Sequence, residues 1–272
     1  MDEKRIVIIG AGRMGGSLIT GLIKNGYQAD QILAADPNPK KLQQLKNAYA
    51  IHVTTQNNEA AAAAQVLLLA IKPQVFDSVV GALKETAIRT KPLILSVAAG
   101  ITTARIQQLL SPELSIVRAM PNMPACIGYG ATAFYATPNT PATSRREAMT
   151  ILQAVGTAIE LPEETLMDTV TALSGSGPAY VFHMMHALET AAISLGLPEA
   201  IAHDLTIQTV LGAAMLANTS KESFNALQQS ILSKGGTTEA AINVLQAKNV
   251  QAIYKDALRA AEERSIALSR NP

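Results

Sequence analysis

The chain has 272 residues, and its 22 Lys and Arg against 21 Asp and Glu leave a net charge of +1 with no basic block, so nothing in the balance points to nucleic acid or an anionic membrane. That length is too great for one small core and suits two domains of ordinary size. A single cysteine, Cys126, excludes an intrachain disulfide framework, fits a reducing, cytoplasmic compartment and reads as a small buried apolar residue. Hydrophobic content is 48% with only 4% aromatic residues and no Trp, and the large Ala share suits closely packed helices. No apolar run approaches the roughly 18 residues that span a bilayer, so no membrane partner is expected. The start, MDEKRIVIIG, carries charges, and its apolar run reads as a strand ending in Gly and not as a signal peptide.

The first element is a strand, Ile6–Ile9, running straight into Gly10-Ala11-Gly12-Arg13-Met14-Gly15 and then into apolar residues at helical spacing. Strand, glycine turn and amphipathic helix are the context in which G-x-G-x-x-G marks a dinucleotide site. Gly10 permits the turn, Gly12 admits a pyrophosphate to the backbone, and Gly15 lets helix and strand pack closely. The second strand, 32–35, ends at Asp36, 21 residues after Gly15, where an acidic residue would bond the ribose hydroxyls of NAD. Asn38, Lys40 and Lys41 follow at once and would suit the 2′-phosphate of NADP, so the cofactor signal is mixed.

Helices follow over 40–49, 60–64, 75–86 and 101–110. Buried strands are expected at 66–71, 93–97 and 115–119, with further strands at 131–135 and 157–161 around a helix near 144–155. This alternation predicts an α/β Rossmann-type, doubly wound parallel sheet over 1–162. Ligands bind such sheets at the carboxyl ends of the strands. Gly10–Gly15, 70–74, 98–100 and 120–125 fall there.

From Glu163 no strand is evident, and helices are expected over 163–173, 176–195, 199–218, 222–231, 238–247 and 250–269. The 176–195 and 199–218 segments are apolar around most of their circumference, which asks for burial on several sides. A domain of residues 163–272 is too small to supply it alone, so an all-helical dimerisation domain is predicted. His183 and His186 read as packing residues, and no metal site is expected. Gly235-Gly236-Thr237-Thr238, ahead of a helix, offers backbone N–H groups and two hydroxyls for a carboxylate, or simply a helix capped by Thr.

GAGRMG at 10–15, AIKPQ at 70–74, SVAAGIT at 96–102, RAMPNMPA at 118–125, LSGSGPAYVF at 173–182 and SKGGTTEAAI at 233–242 together resemble the pyrroline-5-carboxylate reductase family over essentially the whole chain. The resemblance implies reduction of L-1-pyrroline-5-carboxylate to L-proline, the last step of proline synthesis, by NADPH or NADH. The family favours NADPH and Asp36 argues for NADH. It implies a homodimer at least, often a decamer of five dimers in the family. By the same resemblance, Gly10, Gly12, Arg13, Met14, Gly15, Asp36, Asn57, Ala70, Lys72, Pro73, Ala98, Ala99, Gly100 and Asn122 bind the cofactor. Ser233, Gly235, Gly236, Thr237 and Thr238 hold the substrate carboxylate, from the other subunit. Thr238 and Ser174 are the catalytic candidates, Thr238 bonding the imine nitrogen. Lys234 stands where the family usually has Pro.

A β-hydroxyacid dehydrogenase shares the two-domain plan but needs a Lys general base in the first long helix of the second domain. Pro178 to His186 contains none. A cofactor-sensing regulator on the same fold is the rival from another class, and the retained 173–180 and 233–238 stretches argue against it.

Overall fold

The computed structural model describes residues 5–270. The outer ends of the two expected domains, residues 1–4 and 271–272, lie outside the described residues. The chain forms two compact units. One comprises the residues up to Ser176 together with those from Ala261 onward, and the other is Gly177–Ala260. The division falls later than the expected 162/163 boundary because side chains of residues 164–168 bond within the first unit. Glu164 joins Thr103 and Arg118, and Asp168 accepts from Ser265 Oγ at 2.6 Å.

The first unit is built on eight strands in the order β3-β2-β1-β4-β5-β6-β7-β8: β1 (Ile6–Ile9), β2 (Ile32–Ala35), β3 (His52–Thr54), β4 (Val66–Leu69), β5 (Leu93–Ser96), β6 (Ile116–Met120), β7 (Gly130–Ala136) and β8 (Gly156–Glu160). In β1 and β4, IVII and VLLL, every residue is buried, as strands covered on both faces must be. One core gathers Ile6, Ile8, Leu68 and Val117, and the other gathers Val7, Ile9, Leu67 and Phe76. The helices of this unit are α1 (Arg13–Lys24), α2 (Pro39–Tyr49), α3 (Asn57–Ala62), α4 (Pro73–Gly81), α5 (Lys84–Thr90), α6 (Thr103–Leu109), α7 (Ala142–Gln153) and the short α8 (Met167–Val170).

Three details differ from the expectation. β7 runs antiparallel to β6, so the sheet is mostly rather than wholly parallel. Only the short 121–129 segment joins these strands, and a parallel return needs a crossover of a dozen residues or more. β3 is an addition, because a three-residue edge strand has too few positions to show alternation. The helix expected over 75–86 is two, α4 and α5. Gly81, a poor helix former, ends the first.

The helical unit carries α9 (Gly177–Ser194), α10 (Glu199–Thr219), α11 (Phe224–Ser230), α12 (Thr237–Ala247) and most of α13 (Val250–Arg270), whose last turns belong to the first unit. No strand occurs among the described residues after β8. Ahead of α9 the expected single helix over 163–173 is composite: a 3-10 turn over Glu164–Leu166, then α8, then a π-helical turn over Thr171–Gly175. One expectation about apolar length is corrected. By length and composition α10 is apolar enough to cross a membrane. It lacks a single unbroken apolar stretch, and its apolar residues are instead spread around the whole helix. Phe182, Leu188, Leu205, Leu211 and Leu216 are all about half exposed on the single chain.

Candidate active site

The glycine turn follows β1 at the point where strand order reverses, with β2 on one side and β4 on the other. That is where a crevice opens beyond the carboxyl ends of the strands. Gly10 has φ of +101°, and a Cβ there would run into the Ala70 carbonyl. A Cβ on Gly15 would collide with the Gly10 carbonyl oxygen, whereas nothing lies within 4 Å of one on Gly12. The turn is therefore closed on its inner side and open at Gly12. Gly12 is the N-cap of α1, and no side chain caps that terminus. Its N–H groups are free to meet negative charge. Arg13 is exposed and Met14 packs on the core, so Met14 offers its backbone to the crevice.

Asp36 has a more definite task than its spacing suggests. It is buried, accepting from Ala11 N–H at 2.9 Å and from Asn38 N–H at 2.9 Å. The carboxylate thereby pins the glycine turn to the end of β2. Asn38 in turn caps α2, accepting from the N–H groups of Lys40 and Lys41. The side chains of Lys40 and Lys41 are exposed and in no ion pair among the described residues. Asn57 opens α3, and its buried Oδ1 lacks a hydrogen-bond partner.

Further along the same edge, Lys72 precedes Pro73 at the start of α4, and Ala98 is buried beneath exposed Ala99. A cleft of about 380 Å³ lies there, with Pro73 and Gln74, Ala99 and Gly100, and Thr171 and Ser176 on its walls. The last turns of α13 complete it through Arg264, Ser265 and Leu268. Asn122 is expected at the cofactor, and its side chain uses one donor and one acceptor on the neighbouring backbone. Its Nδ2 donates to the Ser174 carbonyl at 3.0 Å and its Oδ1 accepts from Ala131 N–H at 2.9 Å. Ser174 sits in the π-helical turn, and its hydroxyl donates to the Val170 carbonyl at 3.1 Å. Such widened turns recur at functional sites.

Within the helical unit, Gly236 is the N-cap of α12, again with no side-chain cap, so Thr237 and Thr238 are not the caps they could have been. Gly235 has φ of +73°, and its N–H donates to Glu239 Oε2 at 2.7 Å. Gly236 N–H donates to the Ser233 carbonyl at 2.9 Å. Ser233, Gly235, Gly236, Thr237 and Thr238 thus form one turn around a helix N-terminus, with the Lys234 side chain exposed beside it.

The readings of three residues are corrected. Cys126 is exposed, because it lies in the 3-10 turn Met123–Ile127 at the surface. His183 and His186, read as packing residues, are both exposed on the single chain rather than packed within it, and Glu189 pairs at 2.7 Å with His203, a residue to which nothing in the sequence points. No group of three or more His, Cys, Asp or Glu that could hold a metal ion occurs among the described residues. The contributions of Thr171 and Arg264 to the cleft are likewise invisible in the sequence, whereas Ser176 lies in the 173–182 stretch that carries the resemblance. Arg264 lies far along the chain in a charged run, Glu262-Glu263-Arg264, that reads as a solvated helix face.

A family model described as pyrroline-5-carboxylate reductase dimerisation matches residues 164–268, and one described as NADP oxidoreductase coenzyme F420-dependent matches residues 5–100. A pyrroline-5-carboxylate reductase of Pseudomonas aeruginosa is 42% identical over 269 residues, covering 99% of this chain and 98% of that one. The structure of a pyrroline-5-carboxylate reductase from Coxiella burnetii is 40% identical with a TM-score of 0.95, covering 97% of this chain and 98% of that chain. The pyrroline carboxylate reductase of Plasmodium falciparum, solved with NADP bound, is 26% identical with a TM-score of 0.86 and 99% coverage of both chains. The dimerisation match explains why apolar residues of α9 and α10 are exposed on a single chain. With near-complete coverage at this identity, and with the glycine crevice and cleft in place, the chain belongs to the pyrroline-5-carboxylate reductase family.

Proposed function

We propose that this protein reduces pyrroline-5-carboxylate to proline with a nicotinamide dinucleotide, at a site that a second protomer completes. The observation that carries the reading is the open, uncapped glycine turn at the strand-order reversal, with the 380 Å³ cleft on the same sheet edge.

The residues present fit a dinucleotide. The N–H groups after Gly12 suit the pyrophosphate, and Asn57 Oδ1, buried and unpartnered, is available to an adenosine ribose. When bound, the nicotinamide supplies the hydride that imine carbon C5 accepts. Asp36 holds the turn through one backbone N–H on each carboxylate oxygen, and each oxygen keeps a further lone pair for a ribose hydroxyl. Lys40 and Lys41, exposed and in no ion pair among the described residues, are the cations offered to a 2′-phosphate, and on them we favour NADPH over NADH. Replacing both lysines by Ala should raise KM for NADPH about tenfold, worth about 1.4 kcal/mol, and leave KM for NADH unchanged. Equal effects on both cofactors would refute the assignment.

Substrate handling falls to the 233–238 turn. Its uncapped N–H groups suit the carboxylate, and the Thr238 hydroxyl suits the imine nitrogen. An iminium accepts hydride readily, so the chain's main contribution is alignment, which is worth several kcal/mol in such reactions. Thr238 bonds the nitrogen and passes or relays the proton that makes the secondary amine. Ser174, with its hydroxyl turned back to Val170, orients the cleft wall. We assign the 233–238 turn to the partner protomer's contribution, expect the dimers to associate into a decamer of five, and assign the protein to the cytoplasm. Light scattering on the purified protein checks the assembly: the mass of two chains alone rejects the decamer. The test of the reading as a whole is NADPH oxidation on adding pyrroline-5-carboxylate, with small hydroxyacids as the contrast.

A further inference from the structure

Arg118 is an unusual residue for a central strand. It lies in β6, 4% exposed, in a sheet otherwise made largely of Ile, Leu, Val and Ala. A buried cation needs a partner, and a hydrophobic residue would fill the place without one. Its partner is Glu164, which accepts from Arg118 Nη1 at 2.9 Å. The same carboxylate accepts from Thr103 N–H at 2.8 Å and from the Thr103 hydroxyl. One side chain thus ties together three segments distant in sequence.

Those segments are the two walls of the cleft and the strand beneath them. Thr103 begins α6, three residues after Gly100, which lines one wall. Glu164 begins the run that ends in the π-helical turn, whose Thr171 and the following Ser176 line the other. Arg118 shares its side of β6 with Met120, since side chains two apart on a strand face the same way. Just beyond, Asn122 holds the Ser174 carbonyl, and Met120 lies against Gly175, where a Cβ would come within 2.8 Å of its Cε. Residues 118, 120 and 122 therefore seat the 164–176 run at its start and at its end.

We propose that Glu164 is a positioning residue for hydride transfer: through Arg118 and Thr103 it fixes the separation of the Ala99–Gly100 and Thr171–Ser176 walls, and with it the alignment of donor and acceptor. The proposal rests on the reductase reading above. Glu164 is not among the residues that line the cleft and its partners are Thr103 and Arg118, so its effect falls on the chemical step. Displacement of reacting groups by about 1 Å can cost about a hundredfold in rate.

The test compares Glu164→Gln, Thr103→Val and Asp77→Asn in the full chain. The last weakens the exposed pair between Asp77 and Arg105, a residue of the same helix as Thr103, and serves as the control. Steady-state kinetics with pyrroline-5-carboxylate are run beside NADPH binding by fluorescence and the isotope effect on kcat with the cofactor deuterated at the transferring position. We expect Glu164→Gln to lower kcat about tenfold or more, leave NADPH affinity within about twofold and raise the isotope effect. Thr103→Val should move the same way by less, and Asp77→Asn should match wild type. If Glu164→Gln does not fold, Thr103→Val decides between the two outcomes. Wild-type kcat and isotope effect in the folded variants overturn the proposal, as does a fall in kcat shared by Asp77→Asn or one accompanied by equal loss of NADPH affinity. Failure of the wild-type protein to turn over pyrroline-5-carboxylate overturns the reductase reading first, and the proposal with it.

Discussion

Asn122 shows how one side chain sets the shape of a site through the backbone around it. Both ends of its amide are engaged, one on the Ser174 carbonyl and one on Ala131 N–H, and the residue is buried. Asn122→Ala leaves both backbone groups unpaired, which costs about 1–3 kcal/mol. Thermal unfolding should show that loss, and kcat should fall because the Ser174 turn is released. A variant with lower stability and unchanged kcat would make Asn122 structural alone. Thr238 is the opposite case, a hydroxyl that caps nothing at the start of α12. Thr238→Ala should lower kcat about tenfold, equivalent to about 1.4 kcal/mol, with cofactor affinity nearly unchanged. Wild-type turnover in that variant would remove its role. Asp36 is legible from its spacing as a residue of the dinucleotide crevice, but its partners are not. Backbone N–H groups carry no sequence identity, so a carboxylate bound to them looks the same on paper as one bound to a ribose.

At the scale of elements, the β1–turn–α1 unit is legible from its residues because each glycine there answers to a steric demand. A Cβ at 15 meets the Gly10 carbonyl oxygen. Gly15→Ala should therefore abolish NADPH binding and lower stability by about 1–3 kcal/mol, the usual cost of overpacking. Calorimetric titration and thermal denaturation check the two effects separately. The fully buried strands are also plain, since runs such as VLLL have few other places to go. Phe76, wholly buried in the core shared by Val7 and Leu67, should lose about 3–5 kcal/mol as Phe76→Ala, and a loss below about 1 kcal/mol would contradict that packing. What stays hidden has a common cause. β3 is too short for a period, and the π-helical turn at 171–175 depends on a hydrogen bond from Ser176 N–H back to Thr171 that no local pattern announces. The reversal of β7 follows from a loop length, and it is visible only once the strands on both sides are known.

For the molecule as a whole, the apolar surface of α9 and α10 has a physical consequence. Leu211 is 52% exposed on the single chain, and the family match assigns this region to dimerisation. A charged residue there would have to be buried in the dimer, so Leu211→Glu should give monomers by light scattering and lose turnover. A dimeric, fully active variant would show that this face is not the interface. The family is legible because six separate stretches recur together along the chain, whereas the Arg118–Glu164–Thr103 link joins residues 46 and 61 positions apart and is visible only in three dimensions. The central claim is that hydride passes to C5 of a cyclic imine held by this protein. The most direct test is to supply pyrroline-5-carboxylate with NADPH deuterated at the transferring position and examine the product by NMR. The reading predicts proline carrying one deuterium at C5; unlabelled proline, or no consumption of the imine by the folded dimer, would contradict it.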